Sequence, residues 1–218
     1  MNLSAIPRDL LLVSALLILV PLIVPEWILF VMTKSLFMFI CVSGVAFMLR
    51  GGLLTFGHAL FYATGAYTVG FMVKWFGVQE LLIVLPLGAL TGFIMAALVG
   101  LVMARYREVF FAMLNLAFSM MLFGALLKFY RVTNGTDGLP IGTPTLLGFE
   151  IESDSLSFYY FSLVIVAIVA YVIHRFMASP NGFYLRALHD NEIRIEYSGV
   201  SVRQVIYRTY ILAGTLGG

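Results

Sequence analysis

Long, almost uninterrupted apolar runs follow one another through most of the chain. A run of roughly 18 or more apolar residues is long enough, as a helix, to cross a hydrocarbon core of about 30 Å. Six complete passes are expected at Leu10–Val24, Ile28–Leu49, Leu54–Val73, Leu81–Ala104, Val109–Phe129 and Phe158–Ile173, with a seventh opening at Val202. The first and sixth are short, so interfacial residues such as Trp27, Tyr159 and Tyr160 should soften their ends. The seventh has travelled only about 24 Å at 1.5 Å per residue when the sequence stops, which reads as a span cut short. The expected fold is therefore all-α, a polytopic membrane helix bundle forming one transmembrane domain over residues 1–218.

Composition agrees. The 218 residues are 61% hydrophobic and 11% charged, with mean hydropathy +1.01, whereas soluble domains carry about 25% charged residues. A net charge of +2 gives no reason to invoke nucleic acid. Cys41, the single cysteine, lies in an apolar run, cannot form an intrachain disulfide and reads as a small packed hydrophobe. Arg8 before Leu10–Val20 imitates a secretory leader, but no small-x-small cleavage pattern follows and Pro21 and Pro25 lead into another span. A retained first helix is expected.

Charge sets the orientation. With a cytoplasmic N-terminus, one side collects Arg8, Arg50, Arg105, Arg107, Arg175, Arg186, Arg194 and Arg203. The other holds Lys74, Lys128 and Arg131 with Glu26, Glu80, Asp137, Glu150, Glu152 and Asp154. The positive-inside rule then puts the long polar stretch 175–203 in the cytoplasm.

Several local features bear on function. Gly88, Gly92, Ala96 and Gly100 recur every four residues, a small-residue face suited to close helix packing, more within the chain than between subunits. Gly51, Gly52 and Gly57, beside Thr55 and His58, crowd a segment too glycine-rich for a continuous helix. Two readings stay open: an unwound turn presenting backbone to a solute, as transporters use, or a short cytoplasmic loop. His58 either bonds a neighbouring carbonyl or lines a pathway. Lys34 can snorkel outward and is assigned no function. No Asp or Glu lies well inside an apolar run, so the anionic groups common in ion-coupled carriers are missing. No metal cluster, nucleophile–base spacing or Walker A pattern suggests an enzyme. Gly135, Thr136, Asp137 and Gly138 sit in consecutive tight turns on the outer side, where they either seat a delivery protein or merely join helices.

The stretch 175–203 reads as two short helices. Asn181-Gly182 should turn and Phe183–His189 form the first. Asp190 or Asn191 should cap the second, with Gly199 as its left-handed stop. Leu185, Leu188 and Ile195 share an apolar side, while Arg186, Asp190, Glu192, Arg194 and Glu196 stay wet. Ser201 and Gln204 resemble a capping box opening the last span. Such a loop could lie on lipid, pack on its own chain or dock a soluble domain. Its mixed charge favours docking, since lipid-surface helices are mainly basic.

Ser179–Glu192 (SPNGFYLRALHDNE) resembles the coupling loop of permeases from branched-chain amino-acid ABC importers, and Ile193–Gly199 continues the pattern. Gly51–Tyr67 (GGLLTFGHALFYATGAY), Arg107–Phe118 (REVFFAMLNLAF) and Asn134–Leu139 (NGTDGL) are similar to further family blocks, in order. The resemblance implies a multi-pass permease of the bacterial cytoplasmic (inner) membrane moving leucine-like amino acids inward. Two cytoplasmic ABC ATPases would bind ATP and Mg, with no cofactor in this chain. A second related permease, an external solute-binding protein and the lipid bilayer would be the other partners. The matching coupling positions are Gly182, Arg186, Ala187, Glu192 and Gly199, with Asp190 and Asn191 beside them; Tyr67 and Asn115 join Gly51, Gly52, Thr55, Gly57 and His58 as pathway candidates. Urea or short amides are alternative solutes within the family, and an ion-coupled carrier or a channel is the alternative class. Exchanging the charges of Arg186 and Glu192 is expected to uncouple uptake.

Overall fold

The computed structural model describes residues 16–152 and 155–218. Arg8, Asp154, residues 10–15 of the run Leu10–Val24 and the Arg194 side chain lie outside that description. A 3-10 turn at Val20–Leu22 precedes α1 (Glu26–Leu49), α2 (Ala59–Phe71), α3 (Leu81–Met103), α4 (Glu108–Lys128) and the single turn α5 (Tyr130–Thr133). A small hairpin, β1 (Thr145–Leu146) and β2 (Phe149–Glu150), leads to α6 (Leu156–Met177), α7 (Pro180–Asp190), α8 (Glu192–Tyr197) and α9 (Val202–Gly217). The hairpin is a minor departure from the all-helical expectation.

Four of these helices, α1, α3, α4 and α6, are long and apolar enough to cross a membrane. α6 is not short: its 22 residues open two positions earlier than expected because Ser155 caps them, accepting from Phe158 N at 3.2 Å. α2 begins at Ala59 rather than Leu54, runs for only 13 residues, and continues into a π-turn over Met72–Phe76. Hydropathy could not see this difference, since a buried extended segment and a helix can be equally apolar. Tyr159, near the start of α6, does not face outward. It is buried between α1 and α6 with Leu29 and Leu36, and its hydroxyl donates to the Leu17 carbonyl at 2.9 Å.

The helices alternate in direction, so the connections gather at two ends. One end holds the 50–58 segment, the α3–α4 turn and α7–α8; the other holds the α2–α3 turn, α5 and the hairpin. Between them, α9 packs on α3 and α1, and the small-residue stripe of α3 is the reason it can. A Cβ at Gly92 would lie 2.7 Å from the Gly214 carbonyl, and one at Gly100 3.0 Å from the Tyr210 ring. The stripe is therefore an intramolecular contact, as expected. Its product is the main core: Phe61, Ala96, Met103, Phe111, Ile206 and Tyr210 are all at least 98% buried there.

Candidate functional site

The basic end is built around an elbow. Helix α6 stops at Met177, and α7 starts three residues later with Pro180 at its first position, where the missing N–H costs nothing. Asn181-Gly182 is thus helical, not the turn expected from its sequence, because proline preorganises the first helical turn. Gly182 is required by proximity: a Cβ there would lie 2.5 Å from Met177 Cα and 2.6 Å from the Phe176 carbonyl. Arg186 reinforces the bend, donating from Nη2 to the Met177 carbonyl at 3.0 Å and from Nε to the Gly182 carbonyl at 3.3 Å. It thereby takes up a carbonyl that the end of α6 leaves open.

Leu185, Leu188 and Ile195 are buried on one side of α7–α8, as their spacing indicated. Leu185 is fully buried against Gly51, where any side chain would collide with it. Burial of such a leucine stabilises the seat by about 2 kcal/mol. Gly52 turns the chain at φ 70 beside His189. Asn191 Oδ1 accepts from Ile193 N at 3.0 Å, capping α8, and Gly199 closes it at φ 77. Glu192 pairs with Arg107 Nε at 2.9 Å, tying α8 to the start of α4, and Arg208 Nη1 donates to Asn181 Oδ1 at 3.1 Å, tying α7 to α9. The expected capping box is not formed: Ser201 sits at the cap position of α9 without a side-chain hydrogen bond, and Gln204 N bonds its carbonyl instead.

These contacts change how the charges are read. Arg186 and Glu192 are engaged within the chain, so exchanging them would first loosen the elbow. The groups presented outward are Phe183, Ile193 and Tyr197, which are 64%, 60% and 87% exposed, with the half-buried Ala187 and the exposed Asp190 beside them. Sequence inspection missed this aromatic and aliphatic set. Its signal was the face left over once Leu185, Leu188 and Ile195 had been turned inward.

From the elbow, residues 50–58 run inward without helical structure. The segment is at once the connection at the basic end and an unwound stretch that is buried on one side only, with Leu54 and Phe56 exposed. Leu53, Thr55, Gly57 and His58 are all buried. Gly57 lies against the Asn115 backbone so closely that a Cβ would overlap its carbonyl. His58 stacks edge-on against Phe61 at 5.4 Å, and a Cβ at Gly44 or Gly217 would come within 2.9 Å of its Nε2. It bonds no neighbouring carbonyl; neither its ring nitrogens nor Thr55 Oγ1 has a hydrogen-bond partner. Asn115 donates to the Phe111 carbonyl at 3.2 Å and accepts from the Tyr210 hydroxyl at 2.6 Å. Tyr210 and Arg208 are further positions that sequence reasoning missed, since their partners lie far away in the chain.

Tyr67 belongs to the opposite end, its hydroxyl 3.4 Å from the Gly135 carbonyl. The seven pathway candidates therefore divide: Gly51 and Gly52 under α7, Thr55, Gly57, His58 and Asn115 in the core, Tyr67 beside the other loop. That loop turns at Asn134, Gly135 and Gly138, all at positive φ. Asp137 accepts from Tyr130, and Thr136 Oγ1 lies 3.5 Å from Asp137 Oδ1. The unexpected hairpin turns at Leu147-Gly148, both at positive φ as a two-residue connection demands, with the Glu80 carboxylate accepting from their N–H groups at 3.1 and 2.7 Å.

Residues 27–218 match the family model described as branched-chain amino acid transport system / permease component. The chain belongs to that family. It is 27% identical to the high-affinity branched-chain amino acid transport system permease protein LivM of Escherichia coli strain K12, over 77% of this chain and 44% of the relative. LivM of Salmonella typhimurium strain LT2 matches at the same identity and coverage. The chain thus spans less than half the length of these curated relatives, and no solved structure matches it. Family membership goes with the four helices long and apolar enough to cross a membrane; the relatives are named as permease proteins of a transport system.

Proposed function

We propose that the chain is a permease subunit of an ATP-binding-cassette importer for leucine-, isoleucine- and valine-type amino acids. The observation that carries this is the elbow: two short helices seated in Gly51, braced to α4, α6 and α9, and presenting Phe183, Ile193 and Tyr197 outward. A surface of this kind suits a groove on each of two ATPases, which bind the ATP and Mg. The basic end then faces the cytoplasm, in keeping with Arg50, Arg105, Arg107, Arg175, Arg186 and Arg203 gathered there. α2 with its π-turn, the first run and α9 count as spans beside the four long helices. The loop carrying Gly135, Thr136, Asp137 and Gly138 faces an external solute-binding protein, and the remaining exposed apolar helix faces meet a second permease and lipid.

Photo-reactive side chains placed at Phe183 and Tyr197 in native membranes should crosslink to an ATPase subunit. Deleting the gene should abolish high-affinity leucine uptake, and restoring it should recover uptake. A bare elbow would overturn the docking role. Unchanged leucine uptake with loss of urea or amide uptake would overturn the solute.

A further inference from the structure

The β1–β2 hairpin is tied to the first turn of α3 and leads into the first turn of α6. The Glu80 carboxylate accepts from Leu147 N at 3.1 Å and Gly148 N at 2.7 Å, and Thr145 N donates to the Gln79 carbonyl at 3.0 Å. Both α3 and α6 are long and apolar enough to cross a membrane. As spans, they set their first turns at one bilayer surface, and the hairpin lies at that level. Its register makes it two-faced. Leu146 stands opposite Phe149, and Thr145 opposite Glu150. Directly opposed residues share a face and successive ones alternate, so one face is apolar and the other polar. Phe149 is 75% exposed and Leu147, at the tip, 74%. Trp75 and Phe76, which end the π-turn before α3, are exposed too, as are Leu82 and Ile83 in its first turn. Aromatic side chains gathered at the end of a span are typical of the boundary between water and lipid.

We propose that this hairpin is a lipid-interface anchor: Leu147 and Phe149 enter the boundary between headgroups and acyl chains, with Thr145 and Glu150 turned to water. Glu80 is the clamp that holds it there. This residue stands at the cap position of α3 but makes no side-chain bond to its own helix. Both of its carboxylate oxygens go to the hairpin tip instead. The depth is limited by the backbone. A two-stranded ribbon leaves unpaired N–H and C=O groups along its edges, and the hydrocarbon core does not tolerate these. The headgroup boundary is wet enough to satisfy them and apolar enough to take the two side chains. Exposed Glu150 and Glu152 beside the ribbon would repel an anionic surface, so zwitterionic lipid is the partner that fits. The anchor depends neither on the importer reading nor on which side of the membrane this end faces.

The test uses the full-length protein with its partners in phosphatidylcholine vesicles, with Cys41→Ser and any other reactive cysteine removed. A nitroxide label is placed on Phe149→Cys or on Glu150→Cys, neighbours on opposite faces of the ribbon. Collisions with oxygen, which concentrates in lipid, are compared with collisions with a water-soluble nickel chelate. The oxygen-to-nickel ratio at 149 should be severalfold that at 150 and correspond to a depth near the acyl carbonyls. Glu80→Ala should make the label at 149 more mobile and bring its ratio down towards that at 150. Equal ratios at 149 and 150 with Glu80 in place would overturn the anchor. So would a label at 149 that is bathed in water and becomes immobile only when an external solute-binding protein is added, since that outcome gives the face to a protein. A label at 149 unaffected by Glu80→Ala would overturn the clamp.

Discussion

The two ends of the molecule are held by different balances of close packing and polar bonds. At the basic end, α7–α8 is seated by contacts with no room to spare, backbone on side chain at Gly51 and backbone on backbone at Gly182 and, through the 51–57 segment, Gly57. At the other end, the hairpin and the 133–138 turns are fastened by exposed polar bonds, from Leu147 and Gly148 to Glu80 and from Tyr130 to Asp137. Close packing passes displacement on, because interiors have little compressibility. Exposed hydrogen bonds exchange with water at small net cost and let a loop open locally. Under the proposed importer reading, the end that transmits force and the end that meets and releases a visitor are expected to differ in this way.

The sharpest way to break the comparison is at a glycine. Gly57→Ala puts a methyl group into the Asn115 carbonyl, which belongs to α4 and cannot rotate away. A loss of about 3 kcal/mol is expected, the upper range for overpacking, measured as a lower unfolding temperature in detergent. Gly138→Ala, a φ 70 position with nothing near its missing Cβ, should cost only about 1 kcal/mol of backbone strain. Equal effects would mean that the two ends are alike.

How much of this was legible in advance follows the same division. Alternation of the loops between two ends, the Gly88–Gly100 stripe and the inward side of α7–α8 all come from periodicity, which sequence carries directly. Asn191 as cap and Gly199 as stop are local and were equally readable. The glycines marked 51–58 as no continuous helix, but the third span was opened at Leu54, five residues early, because hydropathy reports burial and not backbone shape. Asn115 was flagged only by the company of its block; its partner Tyr210 lies 95 residues away, and no one-dimensional pattern joins them. Arg186 was read as a docking charge because a cation in an amphipathic helix looks solvated. Only the bend between α6 and α7, whose closeness Gly182 permits, brings the Met177 carbonyl within its reach. The 145–150 hairpin went unread because its anchor, Glu80, opens a distant helix.

The braces give intermediate effects. Arg186→Met keeps the aliphatic stem but loses two hydrogen bonds to carbonyls, and should lower stability by about 1 kcal/mol in this exposed setting. Proteolysis between α6 and α7 should quicken by a similar factor. Arg107→Ala and Glu192→Ala should each cost less than about 1 kcal/mol, because the pair is only partly shielded from water. Their double-mutant cycle should still show coupling, and its absence would detach α8 from α4.

The smallest effect belongs to the outer turn. Accepting from Tyr130 and standing beside it, Asp137 raises the phenol above its ordinary value of 10.0. The bond requires the protonated phenol, so the folded turn favours the proton more strongly than the unfolded chain does. Its contribution is complete below the unfolded value of about 10 and declines as pH rises through the higher folded value. Amide exchange of residues 134–138, corrected for its intrinsic pH dependence, should therefore be flat from pH 6 to about 9 and rise only above 10. Tyr130→Phe should remove that alkaline step and leave the elbow's amides unchanged. A step near neutral pH would show that another group fastens this loop, and a matching step in α7 would show that the two ends open together.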